Sequence, residues 1–163
     1  MWNAAIRHIA GVLLLAALAV TGHAAEKSEP IPRFVSLRAD TVNLRIGPGD
    51  RYPVEWVYHR KGLPVEIVAQ FEQWRRVRDW QGTEGWVHQR LVTGIRNIIV
   101  KGAQRTLYAD ADADAAPVAK LDAGVIAHLL ECRKEWCRIE TQSIKGWLHR
   151  GEVWGVYPDE VVR

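Results

Sequence analysis

The sequence predicts an all-β protein built from two small consecutive units behind a cleavable leader. Three observations carry this expectation. The chain matches itself at a spacing close to 62, with Trp74 answered by Trp136. Its apolar residues fall in short β-rich runs bounded by Gly, Pro or polar clusters. Beyond the leader, no stretch holds a helical period for more than two turns.

The leader is read from Met1 to Ala25. Arg7 gives a positive start, Ile9 to Val20 is an apolar run, and small residues follow in Gly22-His-Ala24-Ala25. The run is shorter than the roughly 20 residues that span a bilayer, and the three regions stand in the order of a secretory signal peptide. An uncleaved anchor or a buried helix would not require that order. Cleavage is placed after Ala24, because Gly22 and Ala24 are both small. A cut after Ala25 would set His23 where a small side chain is needed. Residues 1–24 are thus expected to be removed on export to the periplasm, with no membrane span afterwards, and no cysteine near the cut opens the lipoprotein route. Losing Arg7 lowers 22 basic residues to 21 against 19 acidic ones, which leaves the 139-residue mature chain nearly neutral. So small a net charge argues against nucleic acid as a partner.

Residues 25–35 carry Pro30, Pro32 and mixed charge without a period, so a flexible lead-in is expected, with order beginning near Ser36. The first unit is assigned to 36–97 and the second to 98–163. Gly62 matches Gly124, Gly85-Trp86 matches Gly146-Trp147, His88 matches His149 and Gly94 matches Gly155. Between the tryptophan pairs the spacing falls to 61, which places a one-residue deletion where Asp79–Glu84 becomes Thr141–Lys145. A deletion there predicts a turn. Val65–Gln70, Trp74–Asp79 and Gly85–His88 read as strands, and the alanine-rich acidic stretch Ala109–Ala116 reads as a solvated loop.

At Val42-Asn-Leu-Arg-Ile-Gly-Pro-Gly-Asp-Arg-Tyr-Pro-Val54 the chain resembles the bacterial SH3-like (SH3b) family, whose first loop reads Asn-Leu-Arg-x-Gly-Pro and then Tyr-Pro-Val. The resemblance continues through Lys61-Gly-Leu-Pro-Val65, Trp74-Arg-Arg-Val77 and Gly85-Trp-Val-His88. The second unit departs where Leu107-Tyr-Ala-Asp110 replaces the loop motif. It still fits at Cys132–Cys137, Gly146-Trp-Leu-His149 and Trp154-Gly-Val-Tyr-Pro158. The layout is similar to exported proteobacterial proteins with tandem SH3-like domains. That resemblance implies a pair of five-stranded β-barrels without catalytic residues, in a group linked to the cell envelope.

The residues can also be read on their own chemistry. In Ile46-Gly-Pro-Gly-Asp50, proline fixes one backbone angle and the glycines are expected to supply positive φ for a tight reversal. A phosphate loop would need a strand before, a helix after and a lysine, which are missing. Trp86 and Trp147 are assigned to core or hairpin packing. Cys132-Arg-Lys-Glu-Trp-Cys137 spans a tight hairpin, and facing Cα atoms about 4.5–5.5 Å apart suit a disulfide. The competing set His128, Cys132, Cys137 and His149 departs from zinc-finger spacing, and His149 recurs as His88 in a unit without cysteine. No metal or cofactor is therefore expected. A cysteine hydrolase lacks room for a catalytic domain, a glycosidase lacks a paired-carboxylate motif, and the protein is expected not to be an enzyme.

Binding has more support. Alternation puts Trp74, Arg76, Arg78 and Trp80 on one face and Val77 on the other, and Val77 matches the apolar Ile139, so its face is the core. Trp74 and its counterpart Trp136 are expected outside it, where an indole beside arginine can stack on a ligand and pair with a carboxylate. Packing between the two barrels is an equally available role for either tryptophan. The expected ligand is a peptidoglycan stem peptide or glycan. The alternative is a scaffold that binds another envelope protein through the same face.

Overall fold

The computed structural model describes residues 29–163. The segment expected to be a signal peptide, with its expected cleavage after Ala24, lies outside the described residues. Among the described residues, no helix is long and apolar enough to cross a membrane. The first sheet holds β1 (Arg33–Leu37), β2 (Val42–Arg45), β3 (Val54–Tyr58), β4 (Pro64–Phe71), β5 (Trp74–Arg78), β6 (Glu84–His88) and β7 (Val92–Thr93). The second holds β8 (Asn97–Val100), β9 (Arg105–Tyr108), β10 (Pro117–Leu121), β11 (Ile126–Arg133), β12 (Trp136–Thr141), β13 (Ile144–His149) and β14 (Val153–Trp154). Their strand orders, β3-β2-β6-β5-β4-β1-β7 and β10-β9-β13-β12-β11-β8-β14, are the same topology used twice. The all-β reading and the two-unit repeat are both present.

Each sheet has two strands more than five because the arms of the long first loop are themselves paired, β2 with β3 and β9 with β10. Order also begins earlier than expected. Arg33, Phe34 and Val35, assigned to the flexible lead-in, form the first three residues of β1 and pair with β4. Phe34 explains the difference: its ring packs against Trp154 and Tyr157 of the second unit, at centroid distances of 4.9 and 4.6 Å. A partner more than a hundred positions away leaves no local periodicity to read.

The cores follow the alternation. Val42, Leu44, Val65, Ile67, Val77 and Val87 fill the first; Leu107, Leu129, Ile139 and Leu148 fill the second. Glycine before each strand tryptophan has a steric cause. A Cβ on Gly85 would lie 2.5 Å from Leu44 Cγ and 2.9 Å from the Arg45 carbonyl oxygen, and one on Gly146 would lie 2.5 Å from Leu107 Cγ and 2.7 Å from the Tyr108 carbonyl oxygen. Only a residue without a side chain lets β6 cross β2, and β13 cross β9, so closely.

The turns explain the repeat's one-residue offset. Asp79, buried, accepts hydrogen bonds from the backbone N–H groups of Gln81 and Thr83 at 2.9 Å each and from the Tyr58 hydroxyl at 3.0 Å. Burial and the Asp79 carboxylate push the Tyr58 phenol well above its ordinary range. The second unit replaces this capped turn by Gln142-Ser143, both at positive φ, between the paired residues Thr141 and Ile144. The Ala109–Ala116 segment is the expected solvent-facing turn, between β9 and β10. Cys132 and Cys137 sit directly opposite each other on β11 and β12 and are joined as a disulfide, with Cα atoms 4.1 Å apart.

Gly47 and Gly49 correct the loop argument. Neither has positive φ. What fixes Gly47 is the Tyr52 ring, which lies 2.5 Å from where a Cβ would stand.

Candidate functional site

The register of β5 and β6 sorts side chains between the two faces of the sheet. Val77 pairs with Gly85 and lies in the core, so Trp74, Arg76 and Arg78 stand on the other face, opposite His88, Trp86 and Glu84. The alternation reading of Trp74 is therefore correct as to face and wrong as to exposure. Trp74 is only 9% exposed. It lines the wall of a cleft of about 310 Å³ with Thr41, Asn43, Arg45, Asp50, His88 and Leu91. The first long loop and the 3-10 turn Gln89–Leu91 cover a position that a single strand's pattern leaves open.

Of the two roles expected for Trp86, core or hairpin packing, it takes the second. It pairs with Arg76 on one side and Arg45 on the other, on the outer face, and is half-buried. Trp147, its counterpart, is buried beneath the Arg133 guanidinium, 4.6 Å from the ring centroid.

The arginines of the expected basic face are not free. Arg76 pairs with Glu84 at 2.9 Å, and Arg78 pairs with Glu84 at 2.6 Å and Glu66 at 3.4 Å. Two cations against two carboxylates leave that strip electrically balanced. Trp80 is 39% exposed in the Asp79–Thr83 turn. The structure thus separates the expected residues: Trp74 lines the cleft, while Arg76 and Arg78 belong to an ion-paired ladder beside it.

Within the cleft, Arg45 donates to the Tyr52 carbonyl oxygen at 2.7 Å and approaches Asp50 at 3.7 Å, which braces the loop that forms the opposite wall. Trp74 meets the His88 ring edge-on at 5.4 Å. His88 in turn accepts at Nδ1 from the Arg90 backbone N–H and so caps the 3-10 turn.

The second unit repeats the tryptophan–histidine pair and its cap, but the cleft beside its tryptophan is lined differently and without His149. Trp136 meets His149 edge-on at 5.6 Å, His149 Nδ1 accepts from the Gly151 N–H, and Trp136 lines a cleft of about 440 Å³ with Asp110, Ala111, Asp112, Arg133 and Lys134. Tyr108 supplies a further edge contact to Trp136 at 5.8 Å. The histidines are therefore structural caps. The set His128, Cys132, Cys137 and His149 is not assembled, since the cysteines are bonded to each other and His128 faces Asn97.

Residues 38–94 and 101–155 each match the family described as bacterial SH3 domain. The chain belongs to the bacterial SH3 domain family. Both SH3 units thus set an edge-on tryptophan–histidine pair at the start of the fifth strand, and in each the tryptophan lines a cleft with residues of the long first loop. No curated protein matches the chain in sequence. Among solved structures it is similar to NlpC2 from Trichomonas vaginalis, at 12% identity and a TM-score of 0.37, over 78% of this chain and 49% of that one. It is also similar to NlpC1 from Trichomonas vaginalis, at 13% identity and a TM-score of 0.37, over 79% and 48%. The chain thus spans about half the length of either.

Sequence reasoning missed Asn43, Arg45 and Asp50 in the first SH3 unit and Asp110, Asp112, Arg133 and Lys134 in the second. A signal existed for the first two: Val42 and Leu44 are core residues, so alternation turns Asn43 and Arg45 outward toward Trp74. It also missed Trp56, which is 55% exposed on β3, at the edge of the sheet.

Proposed function

We propose that the chain is a non-catalytic, exported binding protein of the cell envelope whose SH3 units each seat part of a peptidoglycan stem peptide or glycan in the cleft lined by their tryptophan, Trp74 or Trp136. The observation that carries this reading is recurrence. Both units keep an edge-on tryptophan–histidine pair, a histidine-capped 3-10 turn and a cleft where that tryptophan meets residues of the long first loop, although the rest of the lining differs and one unit has the disulfide. Each cleft carries both signs of charge, Arg45 with Asp50 in one and Arg133 and Lys134 with Asp110 and Asp112 in the other. Mixed charge beside an aromatic wall suits a peptide bearing carboxylate and ammonium groups more than a neutral sugar. The disulfide is compatible with the periplasm.

The test is co-sedimentation with purified sacculi. Asn43→Trp and Ala111→Trp fill the two clefts from exposed or half-exposed positions without touching either core. The native chain is expected to pellet, each single variant to pellet less and the double variant to stay in solution. Native-level pelleting of the double variant overturns the cleft, and failure of the native chain to pellet overturns the ligand class.

The scaffold reading gains one observation of its own. Edge strand β3 presents Val54 and Trp56, beside Ile46, to solvent. An apolar edge strand is a surface to which a partner's strand can add. Capture of an envelope protein that is lost in Trp56→Lys, with no binding to sacculi, favours it.

A further inference from the structure

We propose that the groove between the two units is a second binding site, separate from the tryptophan clefts, that takes a phosphate group on Arg38, Arg60 and Lys61. Two adjoining hollows of about 450 and 530 Å³ share Lys61, Gly62 and Asn97; Arg38 lines the first and Arg60 the second. All three cations are exposed, and none is in an ion pair among the described residues. The outer-face arginines Arg76 and Arg78, by contrast, are neutralised by Glu84 and Glu66.

The repeat itself isolates the feature. Arg60-Lys61-Gly62 corresponds to Asp122-Ala123-Gly124, where Asp122 accepts from Gln104 at 2.7 Å. Arg60 and Lys61 are thus present only in the first copy, whereas Arg38 has a cationic counterpart in Lys101. Arg60 extends across it, its Nη1 lying 4.0 Å from where a Cβ on Gly124 would stand.

The floor is fixed and polar. Asn97 donates to the Gly62 carbonyl oxygen at 2.8 Å and turns its own oxygen toward His128 Nδ1 at 3.4 Å. Ser36, on the inner wall, is fully buried and its hydroxyl has no hydrogen-bond partner. The single carboxylate at the far end, Glu140, lies 3.7 Å from Lys145 and does not balance the three cations.

Three cations exceed the demand of one carboxylate. A phosphate group carries about −1.5 to −2 charges near neutral pH and offers three acceptor oxygens, which matches three cations.

Amide-resolved NMR titration of the purified protein with inorganic phosphate tests the site. Saturable shifts are expected at Gly62 and Asn97. Loss of charge-assisted hydrogen bonds in Arg60→Ala/Lys61→Ala should weaken binding roughly tenfold or more. Arg76→Ala/Arg78→Ala should leave it unchanged. Both double variants alter exposed side chains, so unchanged amide positions elsewhere verify the fold. Non-saturating shifts, or equal weakening in both variants, overturn the proposal. A second arm locates the phosphate: pelleting with phosphatidylglycerol vesicles that requires Arg60 and Lys61 places it on a lipid headgroup. Saturable phosphate binding without pelleting places it on a soluble or polymer-borne ligand.

Discussion

A methyl group added at Gly85 would stand 2.9 Å from the Arg45 carbonyl oxygen as well as 2.5 Å from Leu44 Cγ. A rotamer change can move the leucine, but the carbonyl moves only with its strand. Gly85→Ala and Gly146→Ala should each therefore destabilise their unit by about 1–3 kcal/mol, read as a lower denaturant midpoint at unchanged slope. A shift within about 0.5 kcal/mol, ordinary for surface changes, would contradict the close-crossing argument. The tryptophans give a second residue-scale expectation, opposite in sense to what the sequence pattern implied. Trp74 is 9% exposed against His88, so Trp74→Ala should cost about 3–5 kcal/mol, the range for a buried aromatic. Trp86, half-buried on the outer face between Arg45 and Arg76, should cost less. Equal or reversed losses of melting temperature would place the core differently. Alternation was sufficient to set Trp74 opposite Val77, because strand pleating is a local property. Its burial was not legible, since it depends on the loop at Asp50 and the turn at Leu91, which reach it only once the sheet is closed.

At the scale of elements, the two fourth-to-fifth-strand hairpins differ in how they are closed. Phe71 faces Trp74 across Glu72-Gln73 in the first unit, and Arg133 faces Trp136 across Lys134-Glu135 in the second, where Cys132 and Cys137 form the next rung. That rung was legible because period-two pairing fixes which residues oppose each other around a two-residue turn. What spacing left unread is that the C-terminal segment also docks there. The Cys132 N–H donates to the Val162 carbonyl oxygen at 3.0 Å, and the Val162 N–H donates back at 3.2 Å. Arg150, buried, donates to the Lys134, Tyr157 and Glu160 carbonyl oxygens, which ties hairpin and C-terminal segment to the 3-10 turn Arg150–Glu152. The closed ring is small, with a sequence separation of 5, and chain-entropy reasoning gives it only about 2 kcal/mol. Cys132→Ser/Cys137→Ser should thus lower the stability of the second unit modestly and leave it folded, because the backbone pairing of Cys132 survives. Unfolding of the double variant at room temperature would show that the disulfide, rather than the ladder, holds the hairpin.

The whole molecule is held by contacts that neither unit's sequence announces. Ile99 of β8 faces the first unit's core while its neighbours Ile98 and Val100 face the second, so one strand serves two interiors. Around it, Phe34 packs on Trp154 and Tyr157, the Tyr157 hydroxyl donates to Glu66 at 2.9 Å, and Arg96 holds Glu160 through bonds of 2.6 and 3.0 Å. Gly155 completes the seam, at φ +120°, with the Asn97 carbonyl oxygen 2.6 Å from where its Cβ would be. The matching of Gly94 with Gly155 was visible as a repeat, but only the second glycine has this backbone against it. Such a seam should make the two units melt together in calorimetry, and Phe34→Ala should separate the transition into two. Acid should act on the same seam through Glu160. Burial alone would raise its carboxyl, but the Arg96 hydrogen bonds, the Tyr157 N–H and the charges of Arg96 and Arg150 outweigh that and hold it below the ordinary value of 4.5. A carboxyl lowered in the folded state contributes stability that is complete above its unfolded value and is lost as pH falls through the folded one. The joint transition should therefore hold at neutral pH and loosen only below about pH 4.5, as Glu160 takes up its proton. Glu160→Gln should remove that acid step and, at neutral pH, already show the weaker coupling. A Glu160→Gln protein with native coupling at pH 7 and the same acid profile would show that the seam does not depend on Glu160.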